Sequence, residues 1–139
     1  MTLNEEYRSI QEEYARAVEE TLHKKRGLGG LFGIGMRLSD EPCHKELDGK
    51  IEALCRRAAE EGEPAELREL TERILHAQSE WDGAQVADLM LAAIQRHALP
   101  LIPRLRAEER AALGAWYEKQ YPRRTRLPVQ DQILKALKG

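Results

Sequence analysis

Two Glu-x-x-His pairs carry the clearest potential chemistry in this chain of 139 residues. Glu20 stands three positions before His23, and Glu41 stands three positions before His44. Residues three apart share one face of a helix, so both members of a pair can approach one metal ion. Helical bundles that bind two iron or manganese ions combine two such pairs with two further glutamates. The four residues therefore define a candidate metal site, and a metal-binding helical bundle or enzyme is the first alternative function.

The positions of these pairs argue for a simpler interpretation. Glu20 and His23 fall in the last turns of the first predicted helix, whereas Glu41 and His44 fall in the first turn of the second. Di-metal sites of this kind lie in the middle of a bundle on longer helices. The chain also holds 19 glutamates, so such pairs with its four histidines can arise by chance. We therefore expect surface residues here and no bound cofactor.

The segment HKKRGLGGLFGIGMRLSDEP contains five of the ten glycines and invites comparison with a phosphate-binding loop. A Walker loop follows a strand and continues with Lys-Ser or Lys-Thr, but here a helix precedes and Met36 and Arg37 follow Gly35. The dinucleotide pattern fails because Phe32 occupies the place of its third glycine. The sequence therefore disfavours nucleotide binding.

The apolar side chains between these glycines need another explanation. Leu28, Leu31, Phe32 and Ile34 would each forgo about 1.5–3 kcal/mol of burial if they stayed in water. Flexible linkers, in contrast, combine glycine with polar residues. We therefore predict a packed connector over residues 27–38 that contacts either the same chain or a partner.

A basic segment, YPRRTRLP, follows the fifth predicted helix. Its arginines are Arg123, Arg124 and Arg126. Residues 1–99 carry 13 basic and 20 acidic side chains, a net charge of −7. Residues 100–139 carry nine basic and four acidic side chains, a net charge of +5. Basic side chains near Trp116, Tyr117 and Tyr121 resemble the cation and stacking surfaces that bind single strands. Nucleic-acid binding is the second alternative, although the aromatic spacing also fits a helix core.

The remaining histidine and cysteine patterns indicate structure rather than catalysis. His97 shares a predicted helix face with Met90 and Ala93, which predicts a histidine at the core edge bonded to a carbonyl group. Cys43 and Cys55 are twelve residues apart on one predicted helix, about 18 Å, which is too far for a disulfide. Two unpaired cysteines and a polar, acidic N-terminus without signal-peptide features predict a cytoplasmic protein. No apolar stretch approaches the length of a membrane span.

Apolar residues recur at helical spacing through nearly the whole chain, and no alternating pattern indicates a strand. The predicted helices cover residues 1–26, Ser39 or Asp40 to Gly62, Pro64 through Ala77, a segment capped by Asp82 with Gln85, Ala107–Gln120, and a final segment from Pro128. Glycine after a helix end and proline at a helix start set these limits.

These patterns predict an all-α fold of about six helices, as a compact bundle or a stacked array of helical hairpins. One domain spans residues 1–139, with the N-terminal helix (1–26) set apart by the connector (27–38) from a helical core (39–139). The chain shows no nucleophile motif, so we expect a non-catalytic protein that works through protein–protein contacts, as a homo-oligomer or an accessory subunit.

Overall fold

The computed structural model describes residues 1–27, 42–81 and 88–139, with the side chains at 21–27, 42–44 and 88–89 outside that description. Within these ranges the chain forms seven α-helices and no strand. The helices are α1 (Leu3–Gly27), α2 (Pro42–Glu61), α3 (Pro64–Leu75), α4 (Ala77–Glu80), α5 (Asp88–Arg96), α6 (Ala107–Gln120) and α7 (Pro128–Lys138). The prediction of an all-α fold of about six helices is confirmed.

Among the described helices, α1 and α2 form the most extensive contact, and their pairing is antiparallel. Lys50 Nζ lies 2.6 Å from Glu13 Oε2, and Arg57 Nη2 lies 3.1 Å from Glu6 Oε1. The second pair lies seven positions earlier on α1 and seven positions later on α2 than the first, so the two helices run antiparallel in one constant register. The N-terminal helix therefore folds back on its own chain.

The buried face of α1 is the one that its apolar spacing predicts. Tyr7, Tyr14 and Val18 are buried, and the Trp81 indole packs edge-on against both tyrosine rings at centroid distances of 6.1 and 5.7 Å. Trp81 Nε1 also donates a 3.0 Å hydrogen bond to the Tyr7 hydroxyl. Burial raises the pKa of Tyr7 well above its usual range, so this hydroxyl stays protonated.

The prediction that the third helix continues through Ala77 is wrong, because the helix is interrupted at His76. The helix α3 ends at Leu75, and the His76 carbonyl oxygen accepts hydrogen bonds from the backbone N–H and the hydroxyl of Ser79. These bonds belong to the single turn of α4, which begins directly after the break at His76. The chain then reaches Trp81, whose side chain is buried.

The turn between α2 and α3 requires a glycine for steric reasons. A Cβ atom added at Gly62 would lie 2.6 Å from the Ala58 carbonyl oxygen and 2.7 Å from Leu67 Cδ2. Distances this short do not occur between real side chains and their neighbours, so the backbone approaches closely only because Gly62 has no side chain. Pro64 then begins α3 at a position where its missing N–H costs nothing.

The C-terminal half packs α6 and α5 against α7. Leu127 N–H donates to the Gln130 side chain at 2.9 Å, which caps the start of α7. One hydrophobic core connects all seven helices and the 3₁₀ turn Ile102–Arg104. Its largest fully buried side chains are Tyr7, Tyr117, Ile51, Leu54, Leu67, Leu70, Ile74, Leu75, Ile94, Leu101, Ile102 and Ile133.

Candidate functional site

The predicted metal pairs fall mostly outside the described side chains. Glu20 is exposed near the end of α1, while His23 lies on the last turns of the same helix with its side chain outside the description. Glu41 lies outside the described residues, and His44 belongs to the first turn of α2 with its side chain undescribed. Among the described side chains, no three histidine, cysteine or carboxylate groups lie close enough to share a metal ion. The four-residue metal site stays a prediction.

The connector prediction also stays open. Leu28, Leu31, Phe32 and Ile34 lie outside the described residues.

The basic segment after α6 is a turn whose three arginines differ in role. Arg123 and Arg124 are exposed and form no ion pair with the part of the chain that the structure describes. Arg126 is different, because only 10% of its side chain is exposed and its Nη1 lies 3.4 Å from Asp131 Oδ1 on the first turn of α7. Arg126 therefore holds the turn against the protein, while the other two arginines face solvent.

The aromatic residues near this turn are largely unavailable for stacking on a ligand. Tyr117 and Tyr121 are buried. Trp116 is half-buried, and the His76 ring stacks on it with a centroid distance of 3.7 Å and an angle of 19° between the rings. The predicted combination of arginines with several free aromatic faces is therefore absent from this surface, which disfavours single-strand recognition by stacking.

The buried tyrosines instead belong to a polar network centred on Gln95. The Tyr117 hydroxyl donates to Gln95 Oε1 at 2.9 Å. Gln95 Nε2 donates to the Tyr121 hydroxyl at 2.7 Å and to the Leu75 carbonyl oxygen at 3.3 Å. Burial raises the pKa of Tyr117 above its usual range, which keeps it a donor. The sequence carried one signal of this network, since Gln95 interrupts an apolar helix face next to Ile94.

A second polar contact joins α2 to the end of α5. His97 Nε2 lies 2.7 Å from Asp48 Oδ1, and Arg96 Nη2 lies 3.7 Å from Asp48 Oδ2. The burial predicted for His97 is confirmed, with 5% of its side chain exposed. The predicted carbonyl partner is wrong, because the partner is a carboxylate 49 positions earlier in the chain. Sequence reasoning missed Asp48, which gives no signal in its local pattern.

The described residues thus offer two chemically distinct features. The first is the turn Pro122–Arg126, which presents two exposed guanidinium groups. The second is the imidazole–carboxylate contact between His97 and Asp48, of which Asp48 keeps 33% of its side chain exposed. Cys55 is a further titratable group, but it is buried, and desolvation raises the pKa of its thiol to about 12, which makes it inert at neutral pH.

Comparison with known protein families, curated proteins and solved structures yields no match to this chain. None of the helices in the described ranges combines the length and apolar character needed to cross a membrane.

Proposed function

We propose that this protein acts through protein–protein contacts, as a homo-oligomer or an accessory subunit, and that the turn Pro122–Arg126 contacts an acidic protein surface. The observation that carries the proposal is the pair Arg123 and Arg124, exposed and free of ion pairs with the described residues on a turn that Arg126 anchors. Arginine forms bidentate bonds with carboxylates and loses little side-chain entropy per bond when its backbone is fixed.

The same protein presents an acidic surface that could bind these arginines. Glu60, Glu61 and Glu63 are exposed at the turn between α2 and α3 and form no ion pair with the described residues. Glu63 shares a groove with Arg106 and Glu109 at the beginning of α6. The basic turn follows the end of α6, about 21 Å further along its 14 residues. Complementary turns at opposite ends of one helix allow two antiparallel copies to form the same contact twice.

The molecular mass in solution tests this proposal. We expect the full chain to form an oligomer at low ionic strength and to dissociate as salt screens the exposed charges. The double variant Arg123→Glu/Arg124→Glu should be monomeric at both ionic strengths. The control Arg8→Glu/Arg16→Glu changes the net charge by the same amount on the exposed face of α1 and should leave the oligomer intact.

A charge-swapped partner distinguishes a specific contact from a general charge effect. Mixing Arg123→Glu/Arg124→Glu with Glu60→Arg/Glu61→Arg should restore association, because each variant supplies the charge that the other has lost. A wild-type chain that is monomeric at low ionic strength would contradict self-association. Tight, salt-dependent binding of a single-stranded oligonucleotide that needs Arg123 and Arg124 would instead favour nucleic-acid binding.

A further inference from the structure

We propose that the exposed face of α6 is the centre of a two-fold dimer, in which it packs antiparallel against α6 of a second copy of this chain. This inference rests on the self-association proposed above and specifies the helix face on which the two copies meet. It starts from the outer side of α6, where Ala111, Ala112 and Ala115 are exposed between two charged residues, Glu108 and Lys119.

Four of these positions have the spacing of a seam between two packed helices. Positions 108, 112, 115 and 119 are separated by four, three and four residues, which keeps them on one side of α6 for about three turns. The opposite side of α6 is occupied by the protein itself, since Leu113, Gly114 and Tyr117 are buried. The seam therefore lies on a helix face that the described chain leaves uncovered.

The residues at the middle of the seam allow a second helix to approach closely. Packed helices lie about 8–10 Å apart, and the shorter distances need small side chains at the contact. Ala112 and Ala115 meet this requirement. The solvent side of a surface helix usually carries charged or polar residues instead, which would keep a second helix away.

The charges at the two ends of the seam complement a second copy only if that copy runs antiparallel. A two-fold axis between Ala112 and Ala115 places each Ala112 opposite Ala115 of the second copy and each Glu108 opposite Lys119 of the second copy. A parallel arrangement would instead bring like charges together at both ends. The order of charges along α6 therefore selects an antiparallel, self-complementary contact.

Neither charged end has a partner that the described part of the chain supplies. Glu108 and Lys119 lie about 16 Å apart along the helix, too far to pair with each other. They form no ion pair with any described residue, whereas the adjacent Glu109 is paired with Arg68. Glu118, next to Lys119, is likewise paired with a lysine of α7. Both ends of the seam are thus available to a second copy.

The antiparallel arrangement also continues into the contact proposed for the basic turn. The turn Pro122–Arg126 follows the end of α6, so it reaches the beginning of α6 in the second copy. The groove that Glu63 shares with Arg106 lies at that end of the helix. The seam and the basic turn therefore form one continuous surface.

Sedimentation of the full chain at low ionic strength tests the seam through its charges. Lys119→Glu places two glutamates at each end of the seam, so we expect the dissociation constant of the dimer to rise about tenfold or more. The matched control is Lys135→Glu, because Lys135 is also exposed in the last turn of a helix, and it should leave the constant unchanged.

The double variant Glu108→Lys/Lys119→Glu should restore the dimer, because each end of the seam again joins opposite charges. It also separates pairing between copies from an effect within one helix. Glu108 and Lys119 complement the dipole of α6, and the double variant reverses both charges, so a role in helix stability alone predicts no recovery. Failure of the double variant to regain the dimer would overturn the proposal.

A packing variant tests the middle of the seam. Ala112→Arg places two guanidinium groups between the helices and should make the protein monomeric. Ala53→Arg introduces the same side chain at an exposed position of α2 and should not. Circular dichroism verifies that both variants keep the helical fold.

The outcomes distinguish the seam from the basic turn. A dimer that survives Lys119→Glu and Ala112→Arg but dissociates in Arg123→Glu/Arg124→Glu would overturn the seam and support the basic turn. The reverse result would support the seam and contradict the basic turn. A wild-type chain that is monomeric at low ionic strength would contradict both.

Discussion

At the scale of single residues, few polar side chains of the described chain are buried, and most of these form hydrogen bonds, the Asn4 Oδ1 atom being an exception. Gln95 forms hydrogen bonds with the Tyr117 hydroxyl, the Tyr121 hydroxyl and the Leu75 carbonyl oxygen. Buried polar groups without partners cost more free energy than their bonds contribute when formed, so a network of this kind depends on its central member. Gln95 therefore fixes how α3, α5 and α6 meet.

Replacing Gln95 by leucine should destabilise the protein by about 3 kcal/mol, because the apolar side chain leaves three buried polar groups without this partner. The free energy of unfolding in urea measures the effect. Gln120→Leu is the matched control, since Gln120 forms an exposed hydrogen bond with Gln78. That control should change stability by no more than about 0.5 kcal/mol. Equal losses in the two variants would show that the network has no central role.

At the scale of secondary-structure elements, α1 is held by packing on one face and by ion pairs along its edge. The edge pairs are exposed, and exposed pairs contribute little to stability. The apolar face contributes more, because Tyr7, Tyr14 and Val18 fill the space beside Trp81 and α2. Docking of α1 should therefore respond to changes in packing far more than to changes in salt.

Two substitutions of Tyr7 separate packing from hydrogen bonding in this interface. Tyr7→Phe keeps the ring and removes only the acceptor of the Trp81 Nε1–H, so we expect a loss of about 1–2 kcal/mol. Tyr7→Ala also leaves a cavity, and truncation of a buried aromatic side chain costs about 3–5 kcal/mol. Urea unfolding followed by tryptophan fluorescence measures both. A Tyr7→Ala variant as stable as Tyr7→Phe would mean that α1 is not packed against Trp81 as described.

At the scale of the whole molecule, one core links the helices at both ends of the chain. Trp81 lies on the α1 side of this core, whereas Ile133 and Leu134 of α7 lie on the other. Chains of this size with a continuous core generally unfold in one cooperative step. We therefore expect one cooperative unit to carry the asymmetric charge, net −7 before residue 100 and +5 after it.

Cooperative unfolding is testable with the variant Trp116→Phe, in which Trp81 becomes the only tryptophan. We expect its fluorescence, which reports on the α1 side, to change at the same urea concentration as the far-ultraviolet circular dichroism of all helices. Coincident midpoints follow if α1 and the C-terminal helices share one core. Two separated midpoints would show that the N-terminal helices unfold independently.

Local sequence features determined the helical character and most helix limits. These features include the apolar face of α1, the glycine at position 62 and the prolines at positions 64 and 128. Each one acts only on residues a few positions away from it, so helix periodicity and backbone sterics are sufficient to predict its effect. The break at His76 was missed because no glycine, proline or other helix-ending residue marks it in the sequence.

The polar contacts were decided only by the tertiary structure. Asp48 and His97 are 49 positions apart, and Gln95 and Tyr121 are 26 apart. Helix periodicity places a residue on a face, but it does not determine which residue of another helix lies opposite, since that depends on the register and angle of packing. The sequence by itself therefore determined an all-helical chain with a charged surface. Tertiary packing decided that Arg126 anchors its turn and that an imidazole meets a carboxylate between α2 and α5.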